Sequence, residues 1–511
     1  MLLIDEIKLK EHESEDKLKT KLLKKLHLKE NDLISYKIDK CAIDARDEIL
    51  YVYRLKIEVK DEDRFYGLPY VRRYERYKDI KKIKSTIRPI IIGDGPSGLF
   101  AAVTLVDAGL KPIIFEKGQD VDGRQITVRK FFKEAILDPS CNVQFGEGGA
   151  GTFSDAKLTT RIKDPYIEYI IDKFIAYGAD PKIAIASHPH IGTDKIIDVI
   201  RNMREDLISK GAQFHFSEEV KDFIVEQDAI KGVITDKDTY YSDIVILAIG
   251  HSAIDTFKAL IKHGIYLEAK EFAVGFRVEH PQTLIDHNQY HGHKLKEPAE
   301  YFLRHRSQDE RGVYSFCMCP GGFVIPSSAK EKTICTNGMS YSKRNNHLAN
   351  SAILCQIKMS DLDDDLMSGY HYIEDLEKRA YAISGSYRAL AQNIKDYIHG
   401  GSHDLIFESS YFLGTTLYEL DHFFDEKLNK AFKEALLAFD KKIEGFIDKG
   451  IMIAPETRSS SPFRVKRDAR HQSISHLGLY PIGEGAGYAG GIMSSSLDGV
   501  KCALDIIEDL S

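Results

Sequence analysis

A glycine-rich turn after a short apolar run constrains this chain more than any other feature. Residues 90–92 are three isoleucines, which predict a buried strand, and Gly93, Gly95 and Gly98 follow at once. In the spacing Gly-x-Gly-x-x-Gly, the first glycine permits a tight turn and the second lets the backbone approach a pyrophosphate. The third lets the following helix pack closely on the strand, so the turn predicts a phosphate-binding βα unit.

The residues after the turn complete a strand–helix–strand unit. Apolar residues over 99–106 have helical spacing, and the N-terminus of such a helix offers free N–H groups to a phosphate. A second apolar strand, 113–115, is followed by Glu116, where a carboxylate can bind both hydroxyls of a ribose. Because strand, glycines, helix, strand and acid occur in order, the unit predicts a dinucleotide site rather than a bare glycine turn.

The remaining segments predict an α/β fold in which the dinucleotide-binding domain is interrupted. The predicted divisions are an N-terminal α+β module with a basic linker (1–85), the first part of the dinucleotide-binding domain (86–267), an inserted mixed α+β domain (268–445) and the second part (446–511). Strands are predicted over 221–226, 230–235 and 243–250, the last of them fully apolar and ending in Gly250. Helices are predicted over 193–210, 347–359, 372–382, 428–446 and 497–510.

A second glycine-rich stretch, residues 145–157, follows the first βαβ unit. Its glycines are too dense for the interior of a helix or a strand, so it predicts a loop. The backbone of such a loop can lie flat against a ligand, and its position after the βαβ unit favours a ligand-facing loop over a plain surface loop. Gly148 and Gly149 are therefore candidate cofactor contacts.

Charge and cysteine content narrow the partners and the cellular setting. A net charge of −7 gives no strong attraction to nucleic acid or to a membrane. No apolar run is long enough for a transmembrane helix, and the N-terminus lacks a signal-peptide pattern. Seven scattered cysteines favour reduced thiols in the cytoplasm. Residues 70–88 interleave basic residues with tyrosines, which could contact nucleic acid, but a solvated linker helix is the commoner outcome.

Together these motifs resemble the two-dinucleotide-type FAD-binding proteins of the glutathione-reductase fold class. More narrowly, the chain is similar to uncharacterised bacterial FAD-dependent dehydrogenases of that class, from about residue 40 to the C-terminus. The segments that carry the resemblance are 145–152, 274–281, 316–322, 337–340 and 456–464. The resemblance implies a Rossmann-like FAD/NAD(P)-binding domain, a parallel sheet with a three-stranded antiparallel crossover, and non-covalently bound FAD. It implies a flavoprotein oxidoreductase and leaves the substrate open.

The resemblance also implies roles for residues along the whole cofactor. Those implied to hold the pyrophosphate are Gly93, Gly95, Pro96, Ser97 and Gly98, and Glu116 is implied to bind the ribose. Residues implied near the adenosine half or the cofactor backbone are Lys117, Arg124, Val220 and Gly250. Residues implied at the ribityl chain and the flavin are Gly483, Glu484, Gly491, Ile492 and Met493. The last three begin a helix whose dipole would stabilise negative charge on reduced flavin.

The turn departs from the family pattern at Asp94, where a small uncharged residue is usual. A carboxylate so close to two phosphates would weaken FAD binding unless it points away. No second strand-Gly-x-Gly-x-x-Gly-helix unit follows in residues 130–511, so a dedicated nicotinamide domain is not expected. Two alternatives stay open for the reductant: NAD(P)H binding transiently over the flavin, or a different donor.

Candidates for chemistry beside the flavin are Cys317, Cys319, Arg277 and His280. A Cys-x-Cys pair on a strand makes a strained disulfide, so structural thiols and a redox or substrate-contacting pair both stay open. The basic residues that could bind an anionic substrate, or pair with acids such as Glu456 and Asp468, are Arg277, Arg458, Arg464, Lys466 and Arg467. A zinc site is not expected, because His280 and Cys335 lack two further ligands at suitable spacing.

The sequence favours a cytoplasmic FAD-dependent oxidoreductase of the dehydrogenase kind, with hydride transfer at flavin N5. Its small-molecule substrate would lie between the FAD-binding domain and the inserted domain. One alternative is a flavin-dependent enzyme that modifies nucleic acid such as tRNA and docks through the basic linker. Another alternative is a flavin-binding sensor or assembly protein without turnover. No sequence feature defines the oligomeric state.

Overall fold

The N-terminal module is a four-stranded antiparallel sheet with one helix on its apolar face. The computed structural model describes it together with all other parts of residues 1–511. Its elements are β1 (Leu2–Lys10), α1 (Lys17–Leu26), β2 (Leu33–Asp44), β3 (Leu50–Val59) and β4 (Val71–Arg73). The sheet order is β2-β3-β1-β4. Alternate residues of β3, Leu55 and Ile57, face the same core as Leu22 of α1, as the alternating pattern predicts.

The basic linker after β4 is an extended strap, so the prediction of a linker helix is wrong. Residues 74–89 contain no helix. The Tyr74 hydroxyl donates to Glu168 at 2.5 Å, and the Tyr77 hydroxyl donates to Asp172 at 3.1 Å. A helix would place like charges four residues apart, as at Lys78 and Lys82, which is destabilising. The extended strap avoids that repulsion and binds the N-terminal module to the next domain.

The next region contains the predicted strand–turn–helix–strand unit. Its strands are β5 (Ile90–Ile92), β6 (Ile113–Glu116), β7 (Gln213–Phe216), β8 (Val220–Glu226), β9 (Ala229–Thr235), β10 (Thr239–Tyr241), β11 (Val245–Leu247) and β12 (Leu267–Ala269). Its helices are α2 (Pro96–Asp107), α3 (Val121–Glu134), α4 (Tyr166–Ala176), α5 (Thr193–Ser209) and α6 (Ile254–Lys262). The strands β8, β9 and β10 form a three-stranded antiparallel sheet of their own.

The rest of the chain forms a second large unit and a return to the first. Its strands are β13 (Phe272–Pro281), β14 (Arg304–Arg306), β15 (Gly312–Cys319), β16 (Phe323–Pro326), β17 (Thr336–Met339), β18 (Leu348–Ile357), β19 (Ala389–Asn393), β20 (Thr415–Leu417), β21 (Ile451–Glu456), β22 (Phe463–Val465) and β23 (Leu479–Pro481). Its helices are α7 (Gln282–Gln289), α8 (Ser368–Ser384), α9 (Ile394–His399), α10 (Glu426–Asp440) and α11 (Ile492–Asp509). None of the helices is long and apolar enough to span a membrane.

The parallel sheet is completed by the last part of the chain. Its order is β23-β11-β5-β6-β7, and all neighbours are parallel. Ile91 faces one core, which includes α2 and α11, whereas Ile90 and Ile92 face a second core on the other side. Because both faces are covered, the strand is apolar throughout, which explains the isoleucine run.

The second unit is built on a seven-stranded sheet, and it corrects three predictions. Its order is β14-β15-β18-β13-β21-β19-β20. The helix predicted over 347–359 is wrong: these residues form β18, which is buried between β13 and β15. A segment buried on both faces has no polar period that separates strand from helix, and here Asn350 and Ser351 are buried with their apolar neighbours. The helix predicted over 428–446 ends at Asp440, and β21 carries the sheet to Glu456, beyond the boundary predicted at 445.

Candidate functional site

The three glycines of the turn stand where a side chain would collide or block an approach. Gly93 has φ of +97°, and a Cβ there would lie 2.4 Å from the carbonyl oxygen of Ala248. A Cβ on Gly98 would lie 2.0 Å from the carbonyl oxygen of Gly93, so α2 packs directly against the turn. A Cβ on Gly95 would meet only the Cα of Gly149, at 3.8 Å, so a ligand can approach the backbone here. This geometry fits a tight turn that exposes N–H groups to a pyrophosphate.

A cavity of 240 Å³ lies beside the turn. The predicted cofactor residues that line it are Gly93, Glu116, Lys117 and Val220. The Lys117 ammonium lies 3.1 Å from Glu219 and 4.8 Å from the centre of the Phe145 ring, which holds it at the cavity wall. A concave space lined by apolar side chains and a few polar groups is the usual form of a small-molecule site.

Glu116 joins the turn to the glycine-rich loop. Its carboxylate accepts main-chain N–H groups from Asp94 at 3.1 Å and from Gly118 and Gly146, both at 2.9 Å. A carboxylate has about four acceptor positions, so one remains for a ribose hydroxyl. Glu116 therefore holds the two glycine segments together and still faces the cavity.

Arg124 is a fully buried side chain that shapes the glycine-rich loop. Its guanidinium donates to main-chain carbonyl oxygens of Asn142, Val143, Gly146, Glu147 and Gly149. A Cβ on Gly146 would lie 2.4 Å from the Arg124 Cδ, so the arginine fills the hollow that this glycine leaves. The contacts give Arg124 a positioning role in the loop, and its place near the adenosine or phosphate stays a prediction.

Asp94, the departure in the turn, lies in a buried cluster of carboxylates with Glu116 and Glu147. Neither of its carboxylate oxygens has a hydrogen-bond partner, and its exposed fraction is 0%. Burial, together with the charges of Glu147 and Glu116, raises the pKa of Asp94 well above its ordinary value. Burial also raises the pKa of Glu147 to about 7. The raised pKa shifts Asp94 toward its neutral form, in which the carboxyl group carries no charge beside the turn.

Replacing Asp94 with Asn is expected to stabilise the protein at neutral and alkaline pH. A raised pKa means that Asp94 holds its proton more tightly in the folded state than in the unfolded state, so the contribution of Asp94 to stability falls as the pH rises above about 4. Asn cannot ionise and so removes this cost. We expect the free energy of unfolding to rise by about 1–3 kcal/mol at pH 8, and by less at pH 5. Thermal unfolding from pH 5 to 9 measures it, with the exposed Asp448→Asn variant as control. Equal pH profiles for wild type and Asp94→Asn would contradict the assignment.

The C-terminal segment brings the remaining predicted cofactor residues to the turn. A Cβ on Gly483 would lie 2.4 Å from the Ser97 Oγ, and one on Gly499 would lie 2.1 Å from the Ser97 carbonyl oxygen. These close approaches set α11 against α2. Gly491 caps α11 with φ of +82°, and Ile492 and Met493 form its buried first turn. The free N–H groups of that turn are the ones predicted to face the flavin.

Gly250 and Glu484 lie at the adjoining edge of the parallel sheet. Gly250 has φ of +67°, and a Cβ there would meet no atom within 4 Å. One Glu484 oxygen lies 3.5 Å from the Nδ1 of His251. The predicted residues of the turn, the loop, β11 and α11 are thus brought together around one edge, where open α/β sheets bind ligands.

His280 and Arg277, two of the catalytic candidates, are both completely buried. The His280 Nε2 lies 2.8 Å from the Phe446 carbonyl oxygen, and burial lowers its pKa to about 4. This places His280 in the core behind the sheet, where its ring is bonded to the main chain, and its role as a catalytic candidate stays a prediction. Arg277 forms a two-point ion pair with Glu456, at 2.6 and 3.0 Å, as one of the predicted alternatives has it.

The other basic candidates are paired with acids rather than free to bind an anion. The shortest N–O separations are 2.6 Å for Arg458 with Glu377, 2.7 Å for Arg467 with Asp498, 3.3 Å for Arg464 with Glu268 and 3.5 Å for Lys466 with Glu268. Asp468, which was predicted as a possible partner, forms none of these ion pairs. The structure has no group of three or more His, Cys, Asp or Glu side chains that could hold a metal ion.

A charged cluster at the end of the glycine-rich loop was not foreseen from the sequence. Arg344 donates to Asp155 from two nitrogens and lies 2.8 Å from Glu300. Lys157 lies 3.2 Å from the same Glu300. Asp155 and Arg344 are 189 residues apart, so no local spacing connects them. The only sequence signal is that two charged residues, Asp155 and Lys157, end a loop predicted to face a ligand.

Two family models match parts of the chain, and one known protein matches nearly its whole length. Residues 271–459 match a family model described as "FAD-dependent protein, C-terminal domain-like", and residues 1–60 match "Domain of unknown function (DUF8436)". An uncharacterized protein of Clostridium beijerinckii is 38% identical over 509 residues, which is 96% of each chain.

Among solved structures, similarity is low in sequence and modest in fold. The E. coli quinol fumarate reductase is 12% identical, with 83% of this chain and 70% of that chain covered and a TM-score of 0.39. The glycerol-3-phosphate dehydrogenase of Bacillus halodurans, solved with FAD, is 11% identical, with 83% and 65% covered and a TM-score of 0.36.

Proposed function

The chain belongs to the same family as the Clostridium beijerinckii protein, and we propose that it is an FAD-dependent oxidoreductase. The family model described as FAD-dependent supports the cofactor. The observation that carries the proposal is the arrangement around the turn. The accessible backbone of Gly95, the Glu116 carboxylate beside the 240 Å³ cavity and the first turn of α11 lie along one edge of the sheet.

Each of these groups has a distinct task toward the cofactor. FAD, when bound, supplies two-electron redox chemistry. The N-terminus of α2 offers N–H groups and the positive end of a helix dipole to the pyrophosphate. Glu116 would accept one ribose hydroxyl, while Val220 and Lys117 would bound the adenine side of the cavity. The N-terminus of α11 favours negative charge at the flavin end.

The reaction we propose is a hydride transfer between a small molecule and the flavin. The substrate would approach between the parallel-sheet domain and the seven-stranded sheet, where the glycine-rich loop ends. The loop links the two units. Gly149 lies against Gly95 of the turn, and Asp155 accepts a hydrogen bond from Arg344 of the second unit. NAD(P)H as a transient reductant belongs to the same proposal.

Several groups of the basic linker are already bonded within the chain, which counts against a nucleic-acid substrate. Arg72 is bonded to Asp5 at 2.8 and 2.9 Å, and the Arg88 Nε donates to the carbonyl oxygen of Lys111 at 2.9 Å. Tyr74 and Tyr77 are bonded to α4 and are not free to stack on bases. We therefore propose a small-molecule substrate and no second function.

The test is an anaerobic reduction of the purified protein after reconstitution with FAD. We expect one FAD per chain, bleached by dithionite and also by NADH, NADPH or another organic donor. The flavin absorbance measures binding and reduction together. A protein that purifies colourless and takes up no FAD would contradict the proposal. A flavin that dithionite reduces but no organic donor reduces would instead favour the sensor alternative.

A further inference from the structure

The turn that follows β23, residues 482–488, packs on two other parts of the predicted cofactor site. We call it the C-terminal turn, and it carries Glu484. A Cβ on Gly483 would lie 2.4 Å from the Ser97 Oγ, and a Cβ on Gly485 would lie 2.4 Å from the carbonyl oxygen of Gly250. The main chain of the C-terminal turn therefore lies directly against α2 and against the residue that follows β11.

Asp498 of α11 binds the main chain of the C-terminal turn. Its Oδ2 accepts the main-chain N–H of Gly483 at 2.7 Å. The next residue, Gly499, is the one at which α11 meets α2, because a Cβ there would lie 2.1 Å from the Ser97 carbonyl oxygen. Asp498 therefore ties the C-terminal turn to α11 at the point where α11 and α2 are in contact.

Arg467 holds Asp498 and both ends of the C-terminal turn. Its two Nη atoms donate to the Asp498 carboxylate at 2.9 and 2.7 Å, and Nη1 also donates to the Pro481 carbonyl oxygen at 2.8 Å. Its guanidinium lies 3.9 Å from the centre of the Tyr488 ring, and its main-chain N–H donates to the Tyr488 hydroxyl at 3.2 Å. The side chains of Arg467 and Asp498 are only 10% and 11% exposed, so water weakens these bonds little.

His471 joins Asp498 to a second aspartate of the same helix. The His471 Nδ1 lies 2.6 Å from Asp505, and its Nε2 lies 3.5 Å from Asp498. Asp505 is seven residues further along α11, and its carboxylate contacts His471 but makes no bond to the C-terminal turn. The two aspartates therefore share one partner, and only Asp498 reaches the turn.

We propose that Asp498, held by Arg467, is a positioning residue for the flavin half of bound FAD; the proposal rests on the FAD-dependent function above. Gly483 and Glu484 are the residues predicted at the ribityl chain, and their main chain is the part that Asp498 holds. The 240 Å³ cavity predicted for the adenosine is lined by none of Asp498, Arg467 and Gly483. Loss of the Asp498 carboxylate therefore loosens the grip on the ribityl chain and the flavin and leaves the grip on the adenosine unchanged.

The test compares the binding of FAD with the binding of ADP, which lacks the ribityl chain and the flavin. Calorimetric titration of the full chain should show that Asp498→Ala binds FAD about tenfold more weakly than the wild type, as expected for one lost hydrogen bond to a charged group. Its affinity for ADP should be unchanged. The matched control is Asp505→Ala, which makes the same change on the same helix and should bind both ligands like the wild type. Equal weakening of FAD and ADP binding in Asp498→Ala, or unchanged FAD binding, would overturn the proposal.

A second readout does not require FAD. Hydrogen exchange of the ligand-free full chain, followed by mass spectrometry, reports the main-chain N–H groups of the C-terminal turn. Peptides that cover 482–488 should exchange faster in Asp498→Ala than in the wild type, whereas those that cover 93–98 should keep the wild-type rate. Equal exchange over 482–488 in both proteins would show that the carboxylate does not hold the turn, and the proposal would fail. A wild type that binds no FAD would be a failure of the proposed function, and the exchange result is readable even in that preparation.

Discussion

The Gly98→Ala variant is expected to purify without FAD. Its new Cβ would lie 2.0 Å from the carbonyl oxygen of Gly93 and 3.2 Å from the Ile91 side chain. Relief requires α2 to move away from β5, because the nearest atom belongs to the backbone and cannot rotate aside. The free N–H groups of α2 then leave the position from which they meet the pyrophosphate.

The expected loss of FAD affinity is about 100-fold or more, equivalent to about 2.8 kcal/mol. Calorimetric titration of apoprotein with FAD measures it directly. The matched control is Gly312→Ala in β15, where the new Cβ would meet only the Gln356 Oε1, at 3.7 Å. That variant should bind FAD like the wild type. Unchanged affinity in Gly98→Ala would mean that the cofactor does not bind at the turn.

The Arg277→Ala variant is expected to lose about 3–5 kcal/mol of folding stability, because it leaves the Glu456 carboxylate buried without its partner. The guanidinium also donates to Asn337 and Asn350, so the loss extends through the centre of the seven-stranded sheet. Urea unfolding followed by far-ultraviolet circular dichroism measures it, since the chain has no tryptophan to report by fluorescence.

Two comparisons separate the buried ion pair from general damage. The double variant Arg277→Met, Glu456→Leu removes both charges and should recover about 2 kcal/mol relative to Arg277→Ala. The exposed pair of Arg306 with Glu310 lies at the edge of the same sheet, and Arg306→Ala should change nothing measurable. A double variant no more stable than Arg277→Ala would show that the unpaired charge is not the cause.

The effect of Arg277→Ala should also depend on pH. Burial raises the pKa of Glu456 to about 7 in the wild type, against the opposing charge of Arg277. Without Arg277 that pKa rises further, so the folded variant holds its proton where the wild type has released it. The stability difference between the two proteins should therefore grow as the pH rises above about 7. A difference independent of pH would contradict this account.

The strand–turn–helix–strand unit could be predicted because its signals are local. The turn from Gly93 to Gly98 and Glu116 lie within one βαβ unit, where spacing alone defines their relation. The structure keeps each of them at the cavity or beside it. Glu456 could be predicted as an acidic partner of the basic residues, and it does pair with Arg277. Nothing in the sequence selected Arg277 among the five basic candidates.

The remaining features depend on contacts that sequence spacing does not carry. Residues 348–354 are buried on both faces and include the polar Asn350 and Ser351, so only the presence of β13 and β15 on both flanks makes them a strand. The linker is extended because Tyr74 and Tyr77 find acids on α4, about a hundred residues later. Likewise, the β-bulge between Cys317 and Cys319 is defined only by the pairing of β15 with β18.

The last strand of the chain to be synthesised, β23, lies beside β11 in the parallel sheet, and α11 packs against α2. On a ribosome these partners emerge far apart in time: the roughly 400 residues between Gly93 and Ile492 take about 20–80 s to synthesise at ~5–20 residues per second. During that interval the nascent chain exposes an unpaired strand edge and the bare face of α2. Flavin capture is therefore expected to follow release from the ribosome, and a stalled or truncated chain would be a substrate for chaperones rather than a partly active protein.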